Sequence, residues 1–382
     1  MKFLSIAAFV ATLVALGLNT TASGQWTVTN LHPSGPNASH SSRAQAAGGQ
    51  QVGYVKPSVG RNRAAIWSGT AGSYVDLHPN GALDSVAWGG GDGQQVGSVL
   101  SGVLGEGNHA TLWTGSASSR VDLHPTGWAS SVAFAARGGQ QVGRGTFNSL
   151  TFDSAIVWNG NAASFVVLDP LNAGGHSRAE GTDGVQQVGF WTSQGGGVRA
   201  ALWSGSAASH VDLHPTSGFA SSRAVAVSNG QQVGYARTAG LGARDVASLW
   251  SGSAASFVNL HPEGALFSRA QGVLEETQVG YARFGSFDRA GLWNGSAASW
   301  VDLQALLPSE FESSNATGIA RDGENLIVSG FGFNTVTNRT EALIWTARAV
   351  PEPGTGTLLA FGGLLGMLLR RRSRSLGTKL LD

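Results

Sequence analysis

Short apolar runs separated by turn-forming residues recur along most of this chain. In one representative stretch the apolar runs cover residues 200–203, 209–213, 224–227 and 231–235. Serine, glycine, asparagine and proline fill the intervals, as at residues 215–218 and 229–230. Short apolar runs bounded by such residues are typical of β-strands. The pattern therefore predicts four short strands in each repeating unit.

Four landmark residues mark the repeat, one in each predicted strand. The first is a tryptophan: Trp67, Trp113, Trp158, Trp203, Trp250, Trp293 and Trp345. The second is a leucine, usually in Asp-Leu-His-Pro: Leu31, Leu77, Leu123, Leu168, Leu213, Leu260 and Leu303. The third is the serine of Ser-x-Ala: Ser42, Ser85, Ser131, Ser177, Ser222, Ser268 and Ser314. The fourth is the valine of Gln-Val-Gly, degenerate in its last copy: Val52, Val96, Val142, Val188, Val233, Val279 and Val328.

The length of the repeat indicates the fold class. Units one to six are 43–47 residues long, and four strands at that period are the signature of propeller blades. A β-solenoid has a shorter period, and the 3.6-residue periodicity of helical repeats is absent. We therefore predict an all-β, seven-bladed β-propeller with four short strands per blade. The strand around 26–31 should pair with the C-terminal strand at 341–346, which closes the ring and removes an open edge.

The spacing of the landmarks separates two kinds of connection. Tryptophan and leucine are always ten residues apart, whereas the leucine-to-serine interval varies from eight to eleven. The serine-to-valine turn is also nearly constant, and the valine-to-tryptophan connection is long and variable. Because antiparallel strands alternate in direction, the constant turns share one face and the variable loops the other. Variable loops on a rigid scaffold are where binding residues usually lie.

The variable loops carry aromatic and arginine side chains that the repeat does not require. These candidate binding residues are Arg61, Arg63, Trp128, Trp191, Phe219, Arg237, Phe267, Arg283 and Phe284. Aromatic rings stack on sugar rings, and guanidinium groups pair with acidic groups, so an anionic polysaccharide is the ligand class we expect. The alternative is that the aromatic residues only close the loops over the ends of the blades.

The Asp-Leu-His-Pro series has two interpretations. Five histidines recur at one position, with an aspartate two residues earlier in several units: His32, His78, His124, His214 and His261, with Asp76, Asp122, Asp212 and Asp302. They could bind a metal or act as acid and base. Side chains repeated in five blades are spread around a wide ring, however, and the position degenerates to Asp169 and Gln304. We therefore favour hydrogen bonds between strands, and we interpret the repeated tryptophans as core rather than as a sugar platform.

Composition and charge exclude several functions. The chain has no cysteine, which excludes disulfides and thiolate chemistry. The net charge is +1 and the two ends carry +4, so residues 25–349 are left at −3. A mildly acidic body offers no basic patch to a nucleic acid. No catalytic motif, phosphate-binding loop or calcium loop is present, so we predict neither a cofactor nor a metal.

The N-terminus has the pattern of a secretory signal peptide. Lys2 precedes an apolar run from Phe3 to Leu18, and small residues follow as far as Gly24. We expect cleavage after Gly24, with Ala22 as the alternative, and export by the general secretion machinery. Residues 1–24 are thus assigned to the signal peptide. A buried helix or a membrane anchor is the competing interpretation.

The C-terminus carries three ordered elements. Pro351-Glu352-Pro353 is followed by an apolar run from Thr357 to Leu369 and then by an arginine cluster, Arg370, Arg371, Arg372 and Arg374. The run is short for a membrane span, and the arginines would hold its far end at the cytoplasmic surface. This tail closely resembles the PEP-CTERM sorting signal of Gram-negative bacteria. The resemblance implies that an exosortase, a membrane-embedded cysteine transpeptidase, reads the Pro-Glu-Pro element and removes the tail after transient anchoring in the inner membrane.

The repeat itself resembles the HAF-type extracellular repeat. The nearest copy is His109-Ala110-Thr111-Leu112-Trp113, in which the phenylalanine of that pattern is missing. This resemblance implies a location at the cell surface or in the extracellular matrix. The expected organisation is a signal peptide at 1–24, a propeller at 25–349, a sorting signal at 350–374 and a tail at 375–382.

Two functions remain open at this point. The first is a non-enzymatic surface protein that binds or scaffolds extracellular polysaccharide. The second is a secreted propeller that acts as a glycoside hydrolase or polysaccharide lyase. Because propellers host both functions, the fold does not decide between them. A pair of converging acids in the variable loops would favour the enzyme, and the sequence offers only scattered ones, Glu106, Asp153, Asp245 and Asp288.

Overall fold

The apolar runs form antiparallel strands grouped into sheets of four. The computed structural model describes residues 26–33, 41–46, 49–147, 152–170 and 173–348. Within these residues the strands form seven four-stranded sheets, each a blade of the propeller. The fold class predicted from the repeat is confirmed. The segments assigned to the signal peptide, the sorting signal and the tail lie outside the described residues.

The strands are numbered in chain order, and each blade after the N-terminal strand uses four consecutive ones. Blade one contains β2 (Ser41–Ala46), β3 (Gln51–Lys56), β4 (Arg63–Trp67) and β5 (Val75–Asp76). Blade two contains β6 (Asp84–Gly91), β7 (Gln94–Leu100), β8 (Asn108–Trp113) and β9 (Val121–Asp122). Blade three contains β10 (Trp128–Arg137), β11 (Gln140–Phe147), β12 (Asp153–Trp158) and β13 (Val166–Val167). Blade four contains β14 (Ala173–Thr182), β15 (Gln187–Ser193), β16 (Val198–Trp203) and β17 (Val211–Asp212).

The remaining blades follow the same plan. Blade five contains β18 (Phe219–Ser228), β19 (Gln231–Thr238), β20 (Asp245–Trp250) and β21 (Val258–Asn259). Blade six contains β22 (Phe267–Leu274), β23 (Thr277–Phe284), β24 (Phe287–Trp293) and β25 (Val301–Asp302). Blade seven contains β26 (Phe311–Asp322), β27 (Asn325–Asn334), β28 (Arg339–Arg348) and the N-terminal strand β1 (Trp26–Asn30). Short 3-10 helices precede the fourth strands or follow β25: Ala71–Ser73, Ala117–Ser119, Ala162–Ser164, Ala207–Ser209, Ala254–Ser256, Ala297–Ser299 and Gln304–Leu306.

The ring closes through the pairing expected from the sequence. Strand β1 runs antiparallel to β28, with Trp26 opposite Ala347 and Val28 opposite Trp345. The sheet order places β1 at the outer edge of blade seven, so each blade runs serine, valine, tryptophan, leucine. The repeat read from the tryptophan is therefore split between two blades. The leucine-to-serine connection leads from the outer strand of one blade to the inner strand of the next.

The outer strands are shorter than the apolar pattern indicates. Residues 209–213 were expected to form one strand, but only Val211–Asp212 does, after the 3-10 helix Ala207–Ser209. The reason lies in Ser209, whose Oγ accepts the Ser204 N–H at 2.8 Å and donates to the Ser206 carbonyl at 2.6 Å. These bonds commit the segment to a turn before the strand begins.

A β-bulge interrupts every inner strand at the same place. In blade two, Ala87 pairs with Gly97 and Gly89 with Val96, so Trp88 is left out of the ladder. The same skip occurs in the first strand of each of the other six blades. The bulge brings the backbone against Gly97, where an added Cβ would lie 1.8 Å from the Val86 oxygen. This close approach explains the glycine of Gln-Val-Gly in six blades, and in blade seven Gly330 takes the same place opposite Ala316.

The landmark tryptophans form the packing between blades. All seven are fully buried. Trp113 of blade two, for example, lies in one cluster with Val52, Ile66 and Leu77 from blade one and the connection that follows it. Burial on this scale is the main apolar stabilisation of the fold. The interpretation of these tryptophans as core agrees with their positions.

A serine on each inner strand links neighbouring blades. Ser85 Oγ of blade two accepts the backbone N–H of Ala64 of blade one at 2.8 Å. The other six landmark serines make the same bond across their own interfaces, at 2.7–3.1 Å. The repeated serine is therefore a tie that occurs at every blade interface of the ring.

The repeated histidine completes this tie. His78 Nδ1 lies 2.8 Å from Ser85 Oγ, and its Nε2 lies 3.0 Å from the Ala82 carbonyl. A carbonyl only accepts, so Nε2 carries the proton and Ser85 donates to Nδ1. Four further histidines bond their serines at 2.8–2.9 Å: His32, His124, His214 and His261. Where the histidine is replaced, Asp169 accepts from Ser177, and Gln304 accepts from Ser314 at 2.5 Å.

A second circuit of side chains lies at the opposite end of the blades. Gln95 Nε2 donates to Gln50 Oε1 of the preceding blade at 2.9 Å, and its own Oε1 accepts the Gly115 N–H at 2.7 Å. In blades three to six the glutamine before Val-Gly makes the same bond to a glutamine of the preceding blade, at 2.9–3.3 Å. The buried glutamine before Val-Gly is thus a structural residue that sequence reasoning treated only as part of a strand.

Loss of one interblade tie should destabilise the ring measurably. Ser222→Ala leaves the Ala200 N–H and the His214 imidazole without their shared partner. Because buried unsatisfied groups are costly, we expect the free energy of unfolding to fall by roughly 1–3 kcal/mol. Urea denaturation measures this change. The control is Ser217→Ala in the exposed preceding turn, which should change stability by less than about 0.5 kcal/mol; equal effects of both variants would contradict the assignment.

Stability should also fall on mild acidification. Burial lowers the pKa of His78, His124, His214 and His261, whereas an unfolded imidazole titrates at about 6.5. The native state therefore binds fewer protons, so stability present above about pH 6.5 is lost as the pH falls below it. The melting temperature should drop between pH 7.5 and 5.5. Glutamine occupies the histidine position naturally at Gln304, so changing the four histidines to glutamine should reduce this drop in melting temperature. The same dependence of melting temperature on pH in the variant and the wild type would contradict the expectation.

Candidate functional site

The two tryptophans proposed for ligand binding are buried. Trp128 is 5% exposed, and its ring lies 4.3 Å from that of Phe147 and 5.6 Å from that of Phe165. Trp191 is 9% exposed and packs edge-on against His210 at 4.8 Å. Neither ring offers a free face to a sugar. For these two residues the geometry favours the alternative interpretation, closure of the loops over the blade.

Four other candidates lie apart from one another. Phe219 packs on Phe257 at 5.0 Å, and Phe284 lies 6.1 Å from Trp300. Arg61 is exposed in the connection between β3 and β4, and Arg63 pairs with Asp76 at 2.6 Å. Phe219 lines a cavity of about 440 Å³ with Arg199 and His214, whereas Arg61, Arg63 and Phe284 line none of the four cavities found among the described residues. The four candidates therefore do not form one site.

Three candidates come together in one cavity between blades five and six. Arg237, Phe267 and Arg283 line this cavity, which has a volume of about 650 Å³. We call it the arginine pocket. Its lining residues are Arg237, Gly242, Ala243, Arg244, Asp245, Leu266, Phe267, Arg269, Tyr281, Arg283 and Asp288. The pocket lies at the end of the blades where the variable connections lie, because both the β19–β20 loop and the start of β22 contribute to it.

Ion pairs order the arginines of the pocket. Asp245 accepts a bidentate contact from Arg269 on Oδ2 and a longer one, 3.4 Å, from Arg237 on Oδ1. Arg283 Nε donates to Asp288 at 2.7 Å, and its guanidinium carbon lies 4.5 Å from the centre of the Phe267 ring. Four guanidinium groups therefore face two carboxylates. The excess of positive charge makes the pocket suited to an anion.

Arg269 is the residue that sequence reasoning missed. It stacks on Tyr235 at 4.2 Å while it pairs with Asp245. Burial by itself lowers the pKa of Arg269, but Tyr281 and Asp245 more than offset it, so the net pKa is raised and the group stays charged. A signal was present in the sequence. Ser-Arg-Ala occurs in four units, with the arginines Arg43, Arg178, Arg223 and Arg269, although the repeat also tolerates valine or asparagine there.

A similar cluster, with two arginines around one aspartate, lies between blades three and four. Asp153 accepts from Arg144 at 2.7 Å and from Arg178 at 2.8 Å. Burial raises the pKa of Asp153, but a hydrogen bond from Thr146 and the two guanidinium charges outweigh it, so the pKa is lowered overall. Both arginines are used by the carboxylate. This copy therefore leaves less positive charge for a ligand than the arginine pocket does.

Within the part that the structure describes, no group of three or more histidine or acidic side chains is arranged to hold a metal ion. Nor does this part contain a helix with the length and apolar character of a membrane span. The repeated histidines are accounted for by their bonds to serine.

One protein-family model matches the chain. Residues 349–372 match the PEP-CTERM protein-sorting motif. The chain therefore carries a sorting signal that implies export, processing by an exosortase and delivery to the cell surface. The predicted motif residues Pro351, Glu352, Pro353, Arg370, Arg371 and Arg372 lie within this match and outside the described residues. No curated protein matches the chain, and the HAF-type resemblance remains a prediction.

Solved structures share the propeller fold at low identity. A puromycin hydrolase mutant has a TM-score of 0.52 at 12% identity, covering 82% of this chain and 56% of that one. A prolyl endopeptidase has a TM-score of 0.51 at 11% identity, covering 82% and 50%. The β-propeller domain of the Trilobed protease from Pyrococcus furiosus has a TM-score of 0.51 at 8% identity, covering 81% and 95%. The chain spans about half the length of the first two proteins, and the likeness shows the fold alone.

Proposed function

We propose that this protein is a non-enzymatic, exported surface protein that binds anionic extracellular polysaccharide in the arginine pocket. The observation that carries the proposal is the surplus of guanidinium groups in that cavity, on a body whose net charge is negative. Carboxylates along an acidic polysaccharide match the paired N–H donors of arginine. The propeller would serve as the rigid scaffold that presents these donors.

The arginines differ in how free they are to bind. Arg244 is exposed and makes no ion pair with any described residue. Arg237 has a side chain that is 51% exposed and only a 3.4 Å contact to Asp245. Arg283 is held by Asp288 on one side and by the Phe267 ring on the other. We infer that Arg237 and Arg244 take the acidic groups and that Arg283 provides an ordered third donor.

Apolar surface beside the arginines supports a sugar ligand. Leu266 is 54% exposed at the rim of the pocket, next to the partly buried Phe267. A pyranose ring has an apolar face of C–H groups that packs on such side chains while its charged substituents reach the arginines. Phe267 itself is covered by Arg283, so its role is to hold that guanidinium as much as to meet the ligand.

The alternative function, a glycoside hydrolase or polysaccharide lyase, draws on the same pocket. It brings Asp245 and Asp288 to the wall of one cavity, and paired carboxyl groups are what a glycosidase uses. Both oxygens of Asp245 accept from guanidinium groups, however, and Asp288 accepts from Arg283. A glycosidase carboxyl must contact the glycosidic bond, and the guanidinium contacts occupy both oxygens of Asp245 and one of Asp288. Binding is therefore the function that we propose.

The sorting motif at 349–372 supports a location at the cell surface for the binding function that we propose. We propose that the general secretion machinery exports the chain after removal of residues 1–24. The apolar segment of the tail would then hold it briefly in the inner membrane of a Gram-negative cell until an exosortase releases it. The product would be a surface or matrix protein that crosslinks or retains acidic polysaccharide.

Removing arginines of the pocket should weaken binding to an acidic glycan. Arg237→Ala with Arg283→Ala should raise the dissociation constant for alginate about tenfold or more, because each charge-assisted contact is worth about 1.5–3 kcal/mol. Affinity gel electrophoresis in alginate measures retardation, with neutral dextran as the reference gel. Wild-type retention should also fall as salt rises.

The matched control removes the same number of charges elsewhere at the same end of the blades. Arg199→Ala with Arg289→Ala breaks the pairs with Asp212 and Asp302, at 2.8 and 2.9 Å. This control should keep its retention on alginate. Equal losses in both double variants would mean that only bulk charge matters, and the pocket would be rejected. If the wild type released reducing ends from alginate and the Asp245→Asn variant did not, the result would favour the hydrolase.

Processing of the tail should depend on the Pro-Glu-Pro element. In the native host, Pro351→Ala with Glu352→Ala should leave full-length chains in the membrane fraction, because the sequence read by the exosortase is gone. Intact mass of membrane and surface fractions measures this. Thr355→Ala, just beyond the element, should be processed normally. Wild-type surface protein with a mass that includes Asp382 would contradict the expectation.

A further inference from the structure

The seven bulges take one residue per blade out of the strand ladder. The residue skipped at each bulge is Gln45, Trp88, Phe134, Glu180, Val225, Gln271 or Thr317. The landmark serine and alanine before them barely vary, whereas these seven positions hold six different residue types. A bulge re-aims a side chain out of the ladder and is frequent beside functional sites. In blades two to seven this variable position lies at one cavity in the central channel of the ring, which we call the channel cavity.

Six of the bulge residues line a single cavity. Trp88, Phe134, Glu180, Val225, Gln271 and Thr317 surround a volume of about 280 Å³, together with the small residues that follow them. Ligand cavities for drug-sized molecules span about 300–1,000 Å³. The volume of the channel cavity lies just below that range. The cavity therefore suits one sugar ring rather than a segment of a polymer.

The lining combines aromatic surface with hydrogen-bonding groups. The Trp88 ring centre lies 6.4 Å from that of Phe134, at a steep angle. The polar side chains that line the cavity include Glu180, Gln271 and Thr317. The Gln271 side chain makes no hydrogen bond to any described residue, whereas Thr317 donates to the Ala44 carbonyl at 2.7 Å. An apolar wall beside free donors and acceptors matches the two sides of a pyranose ring.

The charges around Glu180 select against ions. Glu180 lines the cavity, and its carboxylate lies 3.9 Å from Arg223, which is stacked on Phe190 at 4.1 Å. Burial raises the pKa of Glu180 overall, although Arg223, Arg178 and Arg269 act to lower it. Arg137 also lines the cavity, so an anionic ligand would meet the Glu180 carboxyl and a cationic one would meet the Arg137 guanidinium. A neutral ligand with several hydroxyls avoids both repulsions.

We infer that the central channel is a second ligand site, which takes a single neutral pyranose unit. Trp88 and Phe134 would pack on the ring, and Glu180 and Gln271 would bond its hydroxyls. The site is separate from the arginine pocket and does not depend on the function proposed there. It differs from that pocket in the charge of the sugar that it accepts.

Titration with monosaccharides tests this inference. Glucose, galactose, mannose and N-acetylglucosamine are titrated into the 25–349 chain with calorimetry, beside glucuronate, since the described propeller forms one unit from Trp26 to Ala347. We expect at least one neutral sugar to bind with one-to-one stoichiometry and glucuronate to bind at least tenfold more weakly. Trp88→Ala and Glu180→Gln should each weaken the neutral sugar at least tenfold.

Two kinds of control keep the outcome interpretable. Trp88→Phe retains a ring, so it should recover part of the affinity lost in Trp88→Ala even if that variant is less stable. Glu276→Gln, on an exposed turn, and the double variant Arg237→Ala with Arg283→Ala should leave sugar affinity unchanged. The inference would be overturned if no neutral sugar bound or if glucuronate bound more tightly than the neutral sugars. It would also be overturned if Glu180→Gln bound the neutral sugar with the same affinity as the wild type. Failure of alginate retention alone would reject only the arginine pocket.

Discussion

The hydrogen bond from one blade's backbone to the serine of the next is the interaction on which the ring depends. It occurs at all seven interfaces, including the one from Ala342 to Ser42 that joins the last blade to the first. A serine hydroxyl can accept this N–H and still donate to histidine, aspartate or glutamine. The group that accepts the serine O–H can therefore change, as it does at Asp169 and Gln304, while the serine still holds the two blades together. That tolerance explains why the histidine varies and the serine does not.

Close approach between inner strands follows from the same constraint. Seven strands packed around one axis leave room only for small residues where the backbones meet. An added Cβ at Gly89 would lie 2.2 Å from the Phe134 oxygen, and one at Gly181 would lie 2.6 Å from the Val225 oxygen. The bulge that accompanies this packing takes one residue per blade out of the strand ladder. The propeller thus builds a variable ring of residues on its axis from a repeat that is otherwise nearly constant.

The two proposed sites divide their work by charge. The arginine pocket lies between two blades where variable loops add Arg237 and Arg244 to the channel-side Arg269. The channel cavity is lined by one acidic and one basic side chain, Glu180 and Arg137. A surface protein with both sites would hold an acidic chain at one place and a neutral sugar unit at the other.

The sequence by itself determined the number of blades, the strands that carry the serine, valine and tryptophan landmarks, and the pairing of residues 26–31 with the C-terminal strand. These follow from local periodicity, since strand and turn residues repeat at a fixed interval. It also placed Arg237, Phe267 and Arg283 among the candidates, although not together. Only the tertiary structure decided that Trp128 and Trp191 are buried, that Arg269 joins the pocket and that Trp88 and Glu180 face one cavity. Those facts depend on how neighbouring sheets are set against each other around the axis, which brings together residues far apart in the chain and has no trace in the period of the repeat.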